Sequence, residues 1–195
     1  MKTIYLIVLG VVICVQLAVP FRMIRGRERI LADGQLYRFK TQPIDPVDPF
    51  QGRYVRLRFE ADTIACNADR MVELQRKQPI YAVLATDGQG FAYFSDWSNE
   101  RPADGDFLKV RYQYADQDWI KESKSYVTNG IRIDLPFDRY YMDETKAPRA
   151  ETLARDATRN SNCWANVRIL NGKALIEDVF AEGIPLRELA AKNEE

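Results

Sequence analysis

The chain has 195 residues, of which 46% are hydrophobic and 29% are charged, so it can form a packed core, and wholesale disorder is excluded. Its 28 basic and 28 acidic residues balance, which argues against a general nucleic-acid binder because such a protein needs a cationic face. It contains no histidine, which excludes Ser–His and Cys–His catalytic pairs, HExxH zinc sites and an imidazole pH switch.

The N-terminus contains a long apolar segment. Residues 3–21 are 19 consecutive uncharged residues, which as a helix would extend about 28 Å, close to the thickness of the hydrocarbon core of a bilayer. The alternative of a buried core helix is disfavoured because such helices rarely lack a polar face for so long. A cleaved signal peptide would need an A-x-A site, which does not follow, and a lipoprotein would need small residues before Cys14. We therefore predict a single-pass signal anchor.

The predicted anchor and the rest of the chain differ in charge. Residues 1–29, the anchor with its basic juxtamembrane segment, carry a net charge of +4, which leaves −4 for residues 30–195, the predicted soluble domain. Four arginines follow the apolar segment, and the positive-inside rule alone would keep the domain in the cytoplasm. Cys66 and Cys163, the two cysteines outside the anchor, suggest a possible disulfide in an oxidising compartment. Two unrelated small core residues are the alternative.

The soluble part is predicted to consist of short strands separated by turns. Alternation of apolar and polar residues, or a flanking hairpin turn, predicts strands, in chain order, at residues 37–41, 54–59, 80–86, 91–97, 108–114, 131–135, 163–170 and 173–180. The proline-rich residues 43–49 predict an extended connector after the first strand. Asp87-Gly88-Gln89-Gly90 and Asn171-Gly172 are hairpin turn signals.

Helical patterns are few in the soluble part. They lie at residues 67–77, 147–159 and 186–192, and Pro148 suits the first turn of the second one. With seven to nine strands in total, we predict a β-rich α+β fold. The expected architecture is an antiparallel sheet or a partly open barrel with one or two short helices, preceded by a single transmembrane helix.

Two strand entries share one pattern. Residues 52–59 and 105–112 both run glycine, charged, aromatic, aliphatic, basic, aliphatic, basic, aromatic. The surrounding stretches do not match, so we interpret the pattern as one strand-entry solution used twice rather than as a duplication. The basic faces of both strands are interpreted as solvated surfaces.

A family resemblance lies in residues 28–60. The segment resembles the opening of the GDYXXLXY family of bacterial membrane-anchored proteins, whose pattern is P-x-D-P-x-x-x-x-x-G-D-Y-x-x-L-x-Y. Arg53 replaces the motif aspartate, and Phe59 replaces the last tyrosine. The corresponding positions are Pro43, Asp45, Pro46, Gly52, Arg53, Tyr54, Leu57 and Phe59.

The resemblance implies a role rather than a reaction. Family members resemble accessory proteins of the bacterial envelope, some of which accompany multi-pass membrane proteins, and no activity or cofactor is carried over from them. The resemblance favours an extracytoplasmic, periplasmic domain with the membrane and a membrane protein as partners. Residues 139–144 also resemble the family's segment of arginine, aromatic residue and glutamate.

The candidate binding residues are Arg139, Tyr141 and Glu144. An arginine and a glutamate suit a ligand carboxylate or amide, although an ion pair across a β-edge is the simpler interpretation. No metal or cofactor site is expected, because the carboxylates are scattered and no CxxC pair is present. An exposed aromatic subset around Trp97 and Trp119 is a further candidate surface for a protein or a glycan.

Three functions follow as hypotheses. The first is a non-catalytic accessory or interaction module, and the second is an envelope domain that binds a sugar or a peptide. The third is a histidine-free hydrolase with a Ser/Lys pair, for which Ser123, Lys124 and Ser125 are the nearest candidates. Adjacent residues of an extended segment point to opposite faces, so these three cannot form a dyad with each other.

Overall fold

The computed structural model describes residues 2–42, 54–66, 74–120, 125–143, 146–160 and 162–191. The helices are α1 (Lys2–Asp33), α2 (Ala147–Arg159) and α3 (Leu186–Ala191), and one turn of 3-10 helix covers Glu60–Asp62. The strands are β1 (Gln35–Gln42), β2 (Tyr54–Arg56), β3 (Arg58–Phe59), β4 (Thr63–Ala65), β5 (Pro79–Thr86), β6 (Ala92–Ser98), β7 (Phe107–Ile120), β8 (Ser125–Asp134), β9 (Arg139–Tyr141), β10 (Cys163–Leu170), β11 (Lys173–Ala181) and β12 (Ile184–Pro185).

The strands form two five-stranded sheets and one small ribbon. The first sheet has the order β12-β11-β10-β1-β3, the second has the order β4-β8-β7-β5-β6, and β2 pairs with β9. Neighbouring strands run antiparallel in all three. The predicted β-rich α+β class is confirmed, and the described strands close no barrel.

Phe39 lies at the centre of the core between the two sheets. Its ring centroid is 6.1 Å from that of Phe59 in the same sheet and 5.9 Å from that of Phe94 in the other sheet. Phe137, in the loop between β8 and β9, packs 5.2 Å from Phe39. All four side chains are buried, so this cluster joins both sheets and the loop into one core.

Helix α2 covers the first sheet with a face of small residues. Its buried positions recur at helical spacing, which allows the helix to pack closely on the sheet. They are Ala147, Ala150, Ala154, Ala157 and Thr158. The bounds of this helix match the prediction of residues 147–159, and Pro148 lies in its first turn.

The structure splits the strand predicted at residues 54–59. At Leu57 the chain leaves β2, which pairs with β9, and enters β3, which pairs with β1. The amide of Leu57 donates instead to the carbonyl of Asp138 at 2.8 Å. Alternation alone could not reveal the break, because Val55, Leu57 and Phe59 remain buried on both sides of it.

Strand β7 is longer than the prediction of residues 108–114, and it is bulged. Register shifts between Tyr112 and Tyr114 and between Asp116 and Gln117 interrupt its pairing with β8. The first bulge reverses the alternation, because Tyr112 is buried whereas Tyr114 is half exposed. Of the helix predicted at residues 67–77, residues 67–73 lie outside the described part and residues 74–77 are not helical.

Helix α1 contains a span, Val8–Asp33, that is long and apolar enough to cross a membrane. Its apolar side chains are exposed, whereas Ile30 near its end is buried against the domain. The helix ends at Gly34, whose amide donates to the carbonyl of Ile30 at 3.0 Å. The Gly34 carbonyl accepts a hydrogen bond of 3.2 Å from Arg168, which also pairs with Glu177. These contacts join the helix to the first sheet.

We expect Gly34→Ala to destabilise the domain. A Cβ atom at this position would lie 2.3 Å from the carbonyl oxygen of Ile30, so the main chain must move and the contact of Arg168 with it is weakened. The expected loss is about 1–3 kcal/mol in the free energy of unfolding, measured by denaturant titration of the full chain in micelles. Gly26→Ala is the matched control, because nothing lies within 4 Å of its Cβ position and alanine favours a helix. Equal losses in both variants would contradict the expectation.

Candidate functional site

An open cleft of about 1260 Å³ lies between the end of α1 and the two sheets. Arg27 and Ile30 of α1 form one wall. Strand β7, the loop from β8 into β9, the start of β11 and Arg187 of α3 line the rest. The cleft therefore adjoins the helix that is able to span a membrane.

The cleft is strongly cationic. Seven basic side chains line it against two carboxylates, those of Asp134 and Asp138, which leaves a local charge of +5 in a chain of zero net charge. The basic residues are Arg27, Lys77, Lys109, Arg111, Arg139, Lys173 and Arg187. An anionic ligand is the charge class that such a surface favours.

A tight turn brings cations from different sheets together. Asn171 and Gly172 have φ angles of 51° and 77°, as the hairpin between β10 and β11 requires. Gly172 bridges to Leu108 of β7, and its carbonyl accepts a 3.0 Å hydrogen bond from the amide of Lys109. A Cβ atom on Gly172 would lie 2.7 Å from the ring of Phe107, so only glycine permits this approach. As a result, Lys173 lies beside the strand that carries Lys109.

Tyr140 forms a hydrogen-bonded group with Asp178 and Arg187 at one side of the cleft. The Tyr140 hydroxyl donates to Oδ1 of Asp178 at 2.5 Å, and Nε of Arg187 donates to the same hydroxyl at 2.5 Å. The guanidinium of Arg187 also lies 5.2 Å from the Tyr140 ring centroid. Burial and the neighbouring Asp178 carboxylate raise the pKa of Tyr140 well above its ordinary value near 10, so the phenol stays neutral.

Two of the three candidate binding residues line this cleft. Arg139 and Tyr141 lie on β9 and point away from the core, while Tyr140 between them is buried. Nε of Arg139 is 3.7 Å from Oδ1 of Asp138. Glu144 lies outside the described residues. Their role in binding stays a prediction.

The described part of the family motif is structural. Leu57 and Phe59 are buried in the core, and Phe59 packs on Phe137 with the ring centroids 5.1 Å apart. Tyr54 begins β2 opposite Tyr141. The remaining motif residues, Pro43, Asp45, Pro46, Gly52 and Arg53, fall outside the described part of the chain.

The three cysteines are free thiols in the structure. Cys163 is buried at the start of β10, and burial raises the pKa of its thiol. Cys66 is half buried just after β4, and Cys14 is exposed on α1. The disulfide considered between Cys66 and Cys163 stays a prediction, as does the alternative of two unrelated small residues.

The hydrolase hypothesis is not resolved by the described residues. Ser123 and Lys124 lie outside them, and only the backbone of Ser125 is described. Within the described ranges no serine hydroxyl is hydrogen-bonded to a lysine; Ser95, for example, contacts the Val83 carbonyl at 3.5 Å. Likewise, the described residues contain no group of three metal-ligating side chains.

A second surface lies on an arm formed by β7 and β8. Strand β5 pairs with β7 only as far as Arg111, and β4 pairs with β8 only at residues 130–132. Residues 117–120 and 125–128 therefore pair with each other and project beyond the sheet. Trp119 and Tyr126 pack edge to face on this arm, 4.9 Å apart, and are 50% and 66% exposed.

The structure separates the two tryptophans that the sequence grouped together. Trp97 is buried in the core, whereas Trp119 is exposed on the arm. Sequence reasoning also missed the cationic cleft, because it interpreted Lys109 and Arg111 as a solvated strand face. The sequence contained one signal of the cleft, the Asn-Gly turn followed by Lys173. The contact of this turn with β7 joins segments far apart in the chain, so the local pattern does not reveal it.

The fold and the sites together define a class of protein. It is a β-rich α+β domain that follows an N-terminal helix long and apolar enough to span a membrane, with a basic cleft where the two meet. The family of GDYXXLXY proteins matches residues 16–179, which is most of the chain, so the protein belongs to the GDYXXLXY family. No curated protein and no solved structure matches the chain.

We expect the stability of the domain to fall at high pH, partly through Tyr140. Because the folded state holds its phenol neutral and the unfolded state ionises near pH 10, this contribution is complete below pH 10 and is lost as the pH rises further. Tyr140→Phe removes this titration, so its stability should fall less between pH 9 and pH 11. At pH 7 the same variant should lose about 1–2 kcal/mol with its hydrogen bonds.

The measurement is denaturant unfolding of the full chain across this pH range. Tyr126→Phe is the control, since that tyrosine is 66% exposed on a strand far from the Tyr140 group. Identical pH profiles for wild type and Tyr140→Phe would show that the Tyr140 group does not hold the neutral phenol.

Proposed function

We propose that the protein is a membrane-anchored, non-catalytic accessory module of the bacterial envelope, and that it binds an integral membrane protein. Helix α1 serves as an uncleaved single-pass signal anchor through residues 3–21, and the β-rich domain lies on the periplasmic side. Membership of the family supports this proposal, as does the apolar surface of α1, which the domain leaves uncovered outside Ile30.

The aromatic arm is the main structural feature that supports the binding of a partner protein. A two-stranded ribbon is only marginally stable alone, and this one extends past its sheet while exposing Trp119, Tyr126 and Val127. Exposed aromatic side chains of this kind are typical of the central anchors of protein interfaces, where each contributes about 2 kcal/mol or more. A partner that covers the arm would bury these rings and support the ribbon.

An envelope ligand-binding domain is the second candidate function. The cleft favours it, since Tyr141 is 63% exposed at the rim beside Arg139. A sugar would stack on the tyrosine ring, and a peptide would present a carboxylate to the arginine. A Ser/Lys hydrolase is a weaker proposal, because no described contact supports a dyad.

The partner is tested by photo-crosslinking in native membranes. A benzophenone amino acid in place of Tyr126 should crosslink to one multi-pass membrane protein. The same probe in place of Tyr93 should not, although Tyr93 is 45% exposed on β6 at the far edge of the same sheet.

The double variant Trp119→Ser/Tyr126→Ser completes this test. Loss of both anchors should reduce co-isolation of the crosslinked protein at least tenfold, while the denaturation midpoint of the domain stays near that of the wild type. Equal crosslinking from both positions, or full retention of the partner by the double variant, would contradict the arm as the binding surface.

The sidedness of the domain is tested by thiol labelling in intact cells. Tyr93→Cys combined with Cys66→Ala places one exposed thiol on β6, away from the arm that the partner would cover, while Cys163 stays buried. A membrane-impermeant maleimide should label this variant strongly and the Cys66→Ala parent weakly. If the thiol at position 93 is labelled only after lysis, the domain is cytoplasmic and the periplasmic placement is wrong.

A further inference from the structure

We propose that the cationic cleft binds the anionic phosphate headgroup of a lipid in the bilayer that α1 spans. This proposal rests on the membrane anchoring proposed above but not on the protein partner, because the cleft and the aromatic arm share no residue. Three observations support it: the depth of the cleft relative to the membrane, its unbalanced charge and the chemistry of its lining.

The length of α1 places the cleft near the headgroup layer. Arg27 is six residues beyond Phe21, the end of the uncharged run, which is about 9 Å along a helix. The polar layer of a bilayer extends roughly 5–8 Å on each side of the hydrocarbon core. The wall of the cleft that Arg27 and Ile30 form therefore begins at the outer edge of the lipid phosphate layer.

Five of the seven cations in the cleft form no ion pair with a carboxylate of the described residues. Arg187 is 3.9 Å from Asp178, and Arg139 is 3.7 Å from Asp138. By contrast, no carboxylate of the described residues lies within 4 Å of Arg27, Lys77, Lys109, Arg111 or Lys173. Like charges that are held together repel one another, so an anion bound among them would lower the electrostatic free energy of the cleft.

The remaining lining suits a lipid better than a free ion. Arginine binds phosphate oxygens in a bidentate manner, and lysine adds a point charge. Ala174, Leu175 and Ile176, which are half-buried in the lining, supply apolar surface beside the cations for the glycerol and the first methylenes of the chains. Tyr141 at the rim has the amphipathic ring that is enriched at the membrane–water interface.

The test uses the full chain in zwitterionic micelles and follows its thermal unfolding. Association of the chain with micelles is measured first. A chain that elutes without detergent would contradict the proposed membrane anchoring rather than the proposed lipid site in the cleft. Short-chain phosphatidylglycerol is then added and compared with short-chain phosphatidylcholine and with inorganic phosphate. We expect phosphatidylglycerol to raise the midpoint by about 5–10 °C at a hundredfold excess over its dissociation constant. The other two additives should raise it by less than about 2 °C.

Two triple variants with the same change in net charge show whether the rise in the unfolding midpoint depends on the cations of the cleft. Lys109→Gln/Arg111→Gln/Lys173→Gln removes cleft cations and should abolish most of the rise. Arg38→Gln/Arg58→Gln/Arg159→Gln removes exposed cations that do not line the cleft and should retain it. If the cleft triple does not fold, Lys173→Glu alone, at an exposed turn position, should reduce the rise by about half.

Three results would overturn the proposal. An equal loss in both triples would mean diffuse attraction to an anionic surface, and the absence of any rise would mean that the cleft binds no headgroup. An equal rise with inorganic phosphate would assign the cleft to a soluble phosphate compound instead of a lipid. None of these results would affect co-isolation of a partner through Trp119 and Tyr126.

Discussion

The packing of Phe39 is the contact on which the rest of the domain depends. Strand β1 leaves the end of α1 and lies between β10 and β3, so it is the central element that links the helix to the first sheet. Its Phe39 ring also reaches Phe94 of the second sheet and Phe137 of the loop that leads into β9. One strand therefore contacts both sheets and the loop that contributes residues 135–138 to the cleft.

The junction at Gly34 extends this constraint to α1. Ile30 packs against the domain, and Arg168, itself paired with Glu177, holds the Gly34 carbonyl. The last turns of α1 therefore have a defined direction relative to the sheets rather than acting as a loose tether. This defined direction places the cationic cleft beside the end of the helix that is apolar enough to span a membrane.

Elements with strong local signals were predicted well from the sequence. Helix α2 was predicted at its observed bounds because residues 147–159 are rich in helix formers and Pro148 suits the first turn, and the hairpin of β10 and β11 was predicted from Asn171-Gly172. The strand at residues 54–59 was predicted as one piece because its alternation does not reveal the exchange of partners at Leu57. The bulge that turns Tyr114 outward is likewise a property of pairing with β8, which local periodicity does not contain.

The sequence by itself determined the family, the β-rich α+β class and the apolar N-terminal helix, whereas the binding role of Arg139 and Tyr141 stays a prediction. These depend on composition, short motifs and local periodicity, which need no partner strand. Only the tertiary structure decided that Trp97 is buried and Trp119 exposed, and that cations from α1, β7, β9, β11 and α3 share one cleft. The physical reason is that burial and convergence depend on contacts between segments far apart in the chain, such as the bridge from Leu108 to Gly172.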